Sequence, residues 1–371
     1  MIIDALTSVR RPFAVVLDAI NTGPTETMPT YRKTPQFEHG LPESTGVLVV
    51  NLGTPDNPTT GAVRRFIRSF LWDPRVVEYP RLLWWMVLNL GILVIRPPRS
   101  AAAYRKIWTD QGSPLLVHSQ AVTAKIRERL QSTSDSPVRV ELAMTYGEPS
   151  IAGAVAKLIA DGSRRIISLP LYPQYSGTTT AAVFDAVTRE LGEYRWVPES
   201  RFINDYHDAP GYIDALAASI HESWKTNGRG DKLLMSFHGI PESNVLKGDP
   251  YHCHCQETAR LLASALGLEE NEWVISFQSR VGREKWLSPY TEDTVKELGA
   301  RGLSRLDVVC PGFATDCLET LEEIAMQNAE FFIAAGGDSL HYIPSLNARD
   351  DHVEFLAALV SQHTSDWAST I

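Results

Sequence analysis

The stretch Val47-Leu48-Val49-Val50-Asn51-Leu52-Gly53-Thr54-Pro55 decides the fold class. A short apolar run rich in valine, closed by a Gly-Thr-Pro turn, is how a strand buried on both faces reads. The pattern recurs at Arg139–Thr145, Arg165–Leu171, Lys232–Phe237, Trp273–Phe277 and Arg305–Val309. Between these runs lie amphipathic stretches with helical spacing, among them Ile151–Ala160, Tyr212–Trp224, Gln256–Leu266, Thr291–Leu298 and Cys317–Asn328. Such alternation predicts an α/β fold of parallel sheets flanked by helices. Six or more strands divide better between two sheets than within one, and 371 residues suit two domains. In open sheets of this kind ligands lie beyond the carboxyl ends of the strands, so the residues that follow each run are the place to look for chemistry.

Composition narrows the classes. Charged residues make up 21% and hydrophobic residues 44%, which excludes wholesale disorder. The net charge of −9 leaves no basic surplus to neutralise phosphates, so no nucleic-acid partner is expected. Four cysteines do not make a secreted disulfide scaffold, and a reducing, cytoplasmic setting is the default. Residues 1–45 read as a disordered N-terminal extension: Arg10-Arg11 opens a weak export-like run, but Asp18 interrupts it and no small-residue cleavage site follows. We expect a first domain over 46–175 and a second over 176–371. The first contains Leu82–Ile95, fourteen largely apolar residues bracketed by Arg81 and Arg96. That is short of the ~20 needed to span a bilayer. It reads either as a buried helix or as an exposed apolar lip suited to a membrane interface or the mouth of a greasy pocket.

At the strand ends there is neither GxGxxG nor GxxxxGK[ST], so nucleotide binding has no support. The loop Pro170–Thr180 carries two prolines, two tyrosines and a hydroxyl cluster, which suits either helix capping or a pocket wall. Lys232–Phe237 ends in His238-Gly239-Ile240-Pro241, a histidine on a stiff platform that can accept a proton or bind a divalent metal. Arg305–Val309 runs through Cys310 to Asp316 and a helix in which Glu319 and Glu323, four apart, share a face. Such a pair repels, which raises one pKa and suits proton relay or cation capture; the bland alternative is solvated carboxylates near a helix N-terminus.

Seven segments in order resemble the ferrochelatase family: Asn51-Leu52-Gly53-Thr54-Pro55, Gly112-Ser113-Pro114-Leu115, Leu169–Ser176, Ser236–Pro241, Gly248-Asp249-Pro250-Tyr251, Phe277-Gln278-Ser279-Arg280 and Pro311–Glu322. The resemblance implies two Rossmann-like domains with a porphyrin cleft between them, and insertion of Fe²⁺ into protoporphyrin IX with release of two protons. It implies that His238 and Glu319 are the active-site histidine and its paired acid, holding the metal, with Glu323 and Asp316 along an acidic track. It also implies a porphyrin pocket lined by Leu52, Arg96, Tyr104, Ser113, Tyr172 and Trp286, and a lip at 81–96 that touches membrane, making the protein peripheral to the inner membrane. Family members acting on coproporphyrin III typically have Tyr where this chain has Leu52, which favours protoporphyrin. The alternatives are a coproporphyrin III ferrochelatase, a cobalt chelatase of the same fold and a non-catalytic tetrapyrrole carrier.

The cysteines fall in two pairs, Cys253-x-Cys255 and Cys310-x₆-Cys317. Four thiolates could hold a [2Fe–2S] cluster or a structural zinc; otherwise they are separate thiols. Some ferrochelatases carry such a cluster on a C-terminal extension. No cysteine follows Cys317, which leaves only an internal version.

Overall fold

The computed structural model describes residues 31–34, 43–133, 137–282 and 284–367. Two four-stranded, all-parallel sheets form its frame. The first contains β1 (Ser44–Asn51), β2 (Val138–Met144), β3 (Ser163–Pro170) and β4 (Glu199–Phe202) in the order β2-β1-β3-β4. The second contains β5 (Lys232–His238), β6 (Trp273–Gln278), β7 (Arg305–Val309) and β8 (Ser339–Tyr342) in the order β6-β5-β7-β8. The two halves thus repeat one strand order, although their sequences show no repeat.

Alternation along the central strands builds separate cores on the two faces. Val47 and Val49 of β1 face a large cluster shared with Met235 and Phe237 of β5, whereas Leu48 and Val50 turn to the outer face. On β5, Leu234 joins Leu306 and Val308 in the outer cluster of the second sheet. Each such side chain contributes about 1.5–3 kcal/mol on burial. Because the shared cluster takes side chains from both sheets, the halves are held in one orientation and the strand exits keep their spacing.

The expected division at 175/176 does not follow the sheets. β4 lies beyond it yet pairs with β3. The helix Asp350–His363, expected to belong to the second domain, packs against Pro114–Thr133 of the first half. Most of the extension expected over 1–45 falls outside the described residues. Of the described part, Ser44 and Thr45 already belong to β1, and Arg32 forms a bridge with Tyr194.

The lip is a helix (Arg81–Val87), a π-wound turn (Leu88–Ile92) and a longer helix (Leu93–Ile107). The buried-helix reading of this segment fails. Leu82 is 79% exposed, Leu90 71% and Ile95 60%, and none of Arg81–Val87 is buried. Its anchors are Leu88, Leu93, Ala101, Tyr104 and Ile107, which pack on Val63, Ile67 and Leu71 of the helix Thr60–Trp72, and Trp84, whose Nε1 donates to the Leu71 carbonyl (2.7 Å). Among the described residues no helix is long and apolar enough to cross a membrane.

Candidate active site

The carboxyl ends of β1, β5, β6 and β7 converge. At the end of β1, Asn51 donates to Ser119 Oγ (2.9 Å) and to Thr315 Oγ1 (3.0 Å), tying the first half to the loop after β7. Gly53 follows at φ +109°, where an added Cβ would lie 1.8 Å from the Tyr146 carbonyl oxygen. No side chain fits there, and the turn depends on glycine.

His238 is the last residue of β5. Gly239 lets the chain bend behind it: a Cβ at 239 would stand 3.0 Å from the Gln278 carbonyl and 3.2 Å from the Trp286 ring. The half-buried imidazole lies between Trp286 and Phe313, each ring centroid 6.4 Å away. Its Nδ1 is 2.6 Å from the carbonyl oxygen of Gly239. A carbonyl can only accept, so Nδ1 carries a proton, and the remaining ring nitrogen, Nε2, is the one turned to chemistry. That nitrogen can take a proton or bind a cation, while the other holds the ring in place.

The acids come from Glu319–Asn328, expected as an α-helix but wound as a π-helix. Its i→i+5 closure, uncommon over ten residues and frequent at functional sites, brings residues four apart closer to vertical alignment than α winding does. Gln278 Nε2 donates to the Glu319 carbonyl (2.9 Å), while its Oε1 accepts from Ser236 (2.8 Å). Ser279 donates its backbone N–H to Glu323 Oε1 (2.8 Å) and its hydroxyl to Oε2 (2.5 Å). It does so at φ +65°, a conformation that costs an L-residue about 1–2 kcal/mol. Burial pushes the Glu323 carboxyl up; the Ser279 hydroxyl and His238 pull it down, Glu319 adds to the rise, and the net shift is upward. His238 and Glu319 therefore both act electrostatically on Glu323.

Asp316 does not continue an open track. It is buried and accepts from Tyr342 OH (2.6 Å), Asn347 Nδ2 (2.7 Å), Thr320 Oγ1 (3.0 Å) and the Ser345 amide (3.3 Å). That set makes it a bracket for the start of the π segment. Buried Glu322, also on that segment, pairs with Lys106 of the lip helix at 2.7 Å.

The lip side supplies the opposite wall. Burial pushes the Tyr104 phenol well up, Glu319 and Cys317 add to this, and Thr54 and Arg96 ease it, so Tyr104 lies within electrostatic reach of both Glu319 and Arg96. Thr54 also donates to buried Ser113 Oγ (2.8 Å). Leu52 is half-buried where β1 ends. Two buried polar atoms, Tyr172 OH and Trp286 Nε1, have no partner of ordinary hydrogen-bond geometry. Gln278, Ser279, Asn51 and the Lys106–Glu322 pair were not singled out by sequence reasoning; Gln278, Ser279 and Asn51 stand inside the quoted motifs, but nothing in residue type marks their contacts.

The four thiols do not assemble. Cys253 and Cys255 stand two apart on the helix Tyr251–Ala265, one exposed and one buried, on faces that do not meet. Cys255 and Cys317 lie in the shared core cluster and Cys310 in the outer cluster of the second sheet. Burial pushes all three buried thiols well up, away from the thiolate that a metal requires. The donor set does not fit a [2Fe–2S] cluster or a zinc site.

Among the described residues, one group brings three metal-type donors within 4.8 Å: Asp205, His207 and His254. The two imidazoles stack at 3.6 Å with 5° between planes. His207 Nδ1 is 2.9 Å from Asp205, and Tyr175 N–H donates to His254 Nδ1 (3.2 Å). Burial lowers His207, but Asp205, Asp208 and Glu257 outweigh it and hold the ring above its ordinary value; burial and then His207 lower His254. Parallel rings cannot aim in-plane lone pairs at one ion, and neutral His254 carries its proton on Nε2. The group is a clasp on the loop after β3.

A histidine at one strand exit, half-buried carboxylates that act on it, and two parallel sheets joined by one core are the frame of a chelatase-type α/β protein. Solved structures share that fold. SirB from Bacillus subtilis with Fe³⁺ gives a TM-score of 0.52 at 12% identity, covering 88% of this chain and 98% of that one. The sirohydrochlorin chelatase SirB from Bacillus subtilis subspecies spizizenii in complex with cobalt gives 0.50 at 11% identity, covering 87% and 96%. A family model described as Ferrochelatase matches residues 44–364, and the chain belongs to that family. It is 56% identical to the ferrochelatase of Thioalkalivibrio sulfidiphilus over 331 residues, 89% of this chain and 90% of the relative. It is 52% identical to that of Nitrosococcus oceani over 332 residues, 90% of each.

Proposed function

We propose that this protein inserts Fe²⁺ into protoporphyrin IX to give protohaem, a lyase-type chelation that releases two protons and ends haem biosynthesis. Family membership supports the reaction class; the single structural observation that carries it to these residues is the contact of His238 Nδ1 with the Gly239 carbonyl, which leaves Nε2 for the reaction. A porphyrin takes a metal only when its ring is bent and its two pyrrole protons have somewhere to go. A cleft fixed by a shared core favours the bent ring by differential binding. Nε2 of His238 accepts a pyrrole proton, and Glu323, whose carboxyl is pushed up by burial, takes it on. Glu319 balances the charge of the entering metal. Arg96, Tyr104, Ser113, Leu52, Tyr172 and Trp286 line the porphyrin pocket.

An anaerobic Fe²⁺ insertion assay with protoporphyrin IX and coproporphyrin III, repeated with Co²⁺, tests this. Faster turnover of protoporphyrin with Fe²⁺ is expected, consistent with the apolar Leu52. Preference for coproporphyrin or cobalt would shift the assignment within the fold. Tight porphyrin binding with no metallation would make the protein a carrier.

The exposed lip supports peripheral contact with a membrane, and so a cytoplasmic protein held against the inner membrane. Leu82, Leu90, Val94 and Ile95 project apolar side chains that are largely exposed among the described residues. Binding to vesicles of mixed neutral and anionic phospholipid is expected to fall about tenfold or more in a Leu82→Asp/Leu90→Asp variant, because each substitution forfeits about 1.5–3 kcal/mol of burial. Unchanged sedimentation with vesicles would remove the lip from any membrane role.

A further inference from the structure

We infer that Ser279 is a positioning residue for the insertion reaction: from the end of β6 it gives one donor to each oxygen of Glu323 and so fixes the orientation in which that carboxylate receives a proton. The inference rests on the proposed reading of Glu323 as proton acceptor. Ser279 and Asn347 are the only non-glycine residues described with positive φ. Asn tolerates that region, whereas Ser has no special claim to it. A strained conformation persists where the surroundings hold it. Here it allows one residue to address both oxygens of one carboxylate, N–H to Oε1 at 2.8 Å and hydroxyl to Oε2 at 2.5 Å. Two donors, one per oxygen, fix the plane of the carboxyl group as well as its place.

The same two donors favour the ionised form, against burial and against Glu319. The other titratable groups facing Glu323 are His238 at the end of β5 and Cys310 after β7, and burial keeps the Cys310 thiol neutral. Arg280, next in sequence, stacks on Tyr290 instead, 4.3 Å from the ring centroid. Among the described residues, His238 is the one cation that acts on Glu323, and Ser279 supplies the donors to its two oxygens.

The test is kcat and KM against pH for wild type, Ser279→Gly, Ser279→Asn and Glu323→Gln. Glycine accepts φ +65° and keeps the N–H but loses the hydroxyl, so fold and strain are not at issue. Losing one charge-assisted hydrogen bond is expected to move the acid limb of kcat to higher pH by about one unit, with KM for porphyrin changed less than about twofold. Ser279→Asn, which restores a side-chain donor in a residue that accepts this φ, is expected to return the limb towards the wild-type position. An unmoved limb in Ser279→Gly, alongside an inactive Glu323→Gln, would overturn the role of Ser279 alone. Full activity with an unaltered profile in Glu323→Gln would instead overturn the proton-acceptor reading on which it rests.

Discussion

Replacing His238 by alanine is expected to lower the rate of Fe²⁺ insertion by about 10²- to 10⁴-fold, the range of a positioned general base, while porphyrin binding persists. The expectation follows from where the ring is held rather than from its residue type. Its Nδ1 proton is committed to the carbonyl of Gly239, so one nitrogen orients the ring and the other reacts. The variant is expected to fold, because the ring is half-buried and its neighbours Trp286 and Phe313 stand tilted to it with centroids 6.4 Å away. Stopped-flow absorbance of haem formation and quenching of porphyrin fluorescence separate the two properties. Insertion within about tenfold of wild type would remove His238 from the proton path. Loss of porphyrin binding in step with rate would make it a binding residue.

The second large effect concerns stability. His352 is wholly buried at the start of the C-terminal helix Asp350–His363. Nδ1 donates to the carbonyl oxygen of Asn347 (2.8 Å), and Nε2 has no partner. Burial lowers its pKa to about 4. An unfolded histidine titrates near 6.5. The folded state therefore favours the neutral ring. Its contribution is complete above about pH 6.5 and is lost as pH falls towards 4, where the unfolded chain takes up a proton that the folded one refuses. The linkage amounts to roughly 2–3 kcal/mol by pH 4.5. His352→Asn keeps a donor and removes the titration, so urea unfolding of wild type and variant should diverge by that amount between pH 7.5 and 4.5. Parallel curves would refute the assignment. The effect reaches the site: Asn347, which accepts from His352, also grips Asp316 by side-chain bonds in both directions.

What the sequence revealed follows from what local composition encodes. Val47–Leu52 and Lys232–Phe237 were legible because a strand covered on both faces leaves an uninterrupted apolar run. Glu199–Phe202 and Ser339–Tyr342 were not, since a four-residue edge strand stands partly in water and reads as loop. The segment after Cys317 was legible as helix but not as π-helix. No residue type specifies that winding, and the segment is gripped from outside by Lys106 and by packing of Leu321 on the lip base. The positive φ of Ser279 and the clasp of His207 on His254 depend on contacts distant in sequence. The lip was ambiguous for a simpler reason: the same apolar residues suit burial and exposure, and the exposure of Leu82 and Leu90 among the described residues decides between them.

The repeated strand order also bears on symmetry. Two units with the order second-first-third-fourth, set with their strand exits facing, are what a homodimer of one four-stranded unit would build. A homodimer must present the same residues to both faces of anything held between its halves. A single chain is free of that rule. Asn51 ends the central strand of one sheet and His238 that of the other; the first fastens the halves together and the second carries a basic nitrogen. A porphyrin is nearly the same from above and below. A single chain whose two central strands end in unlike residues can distinguish those faces.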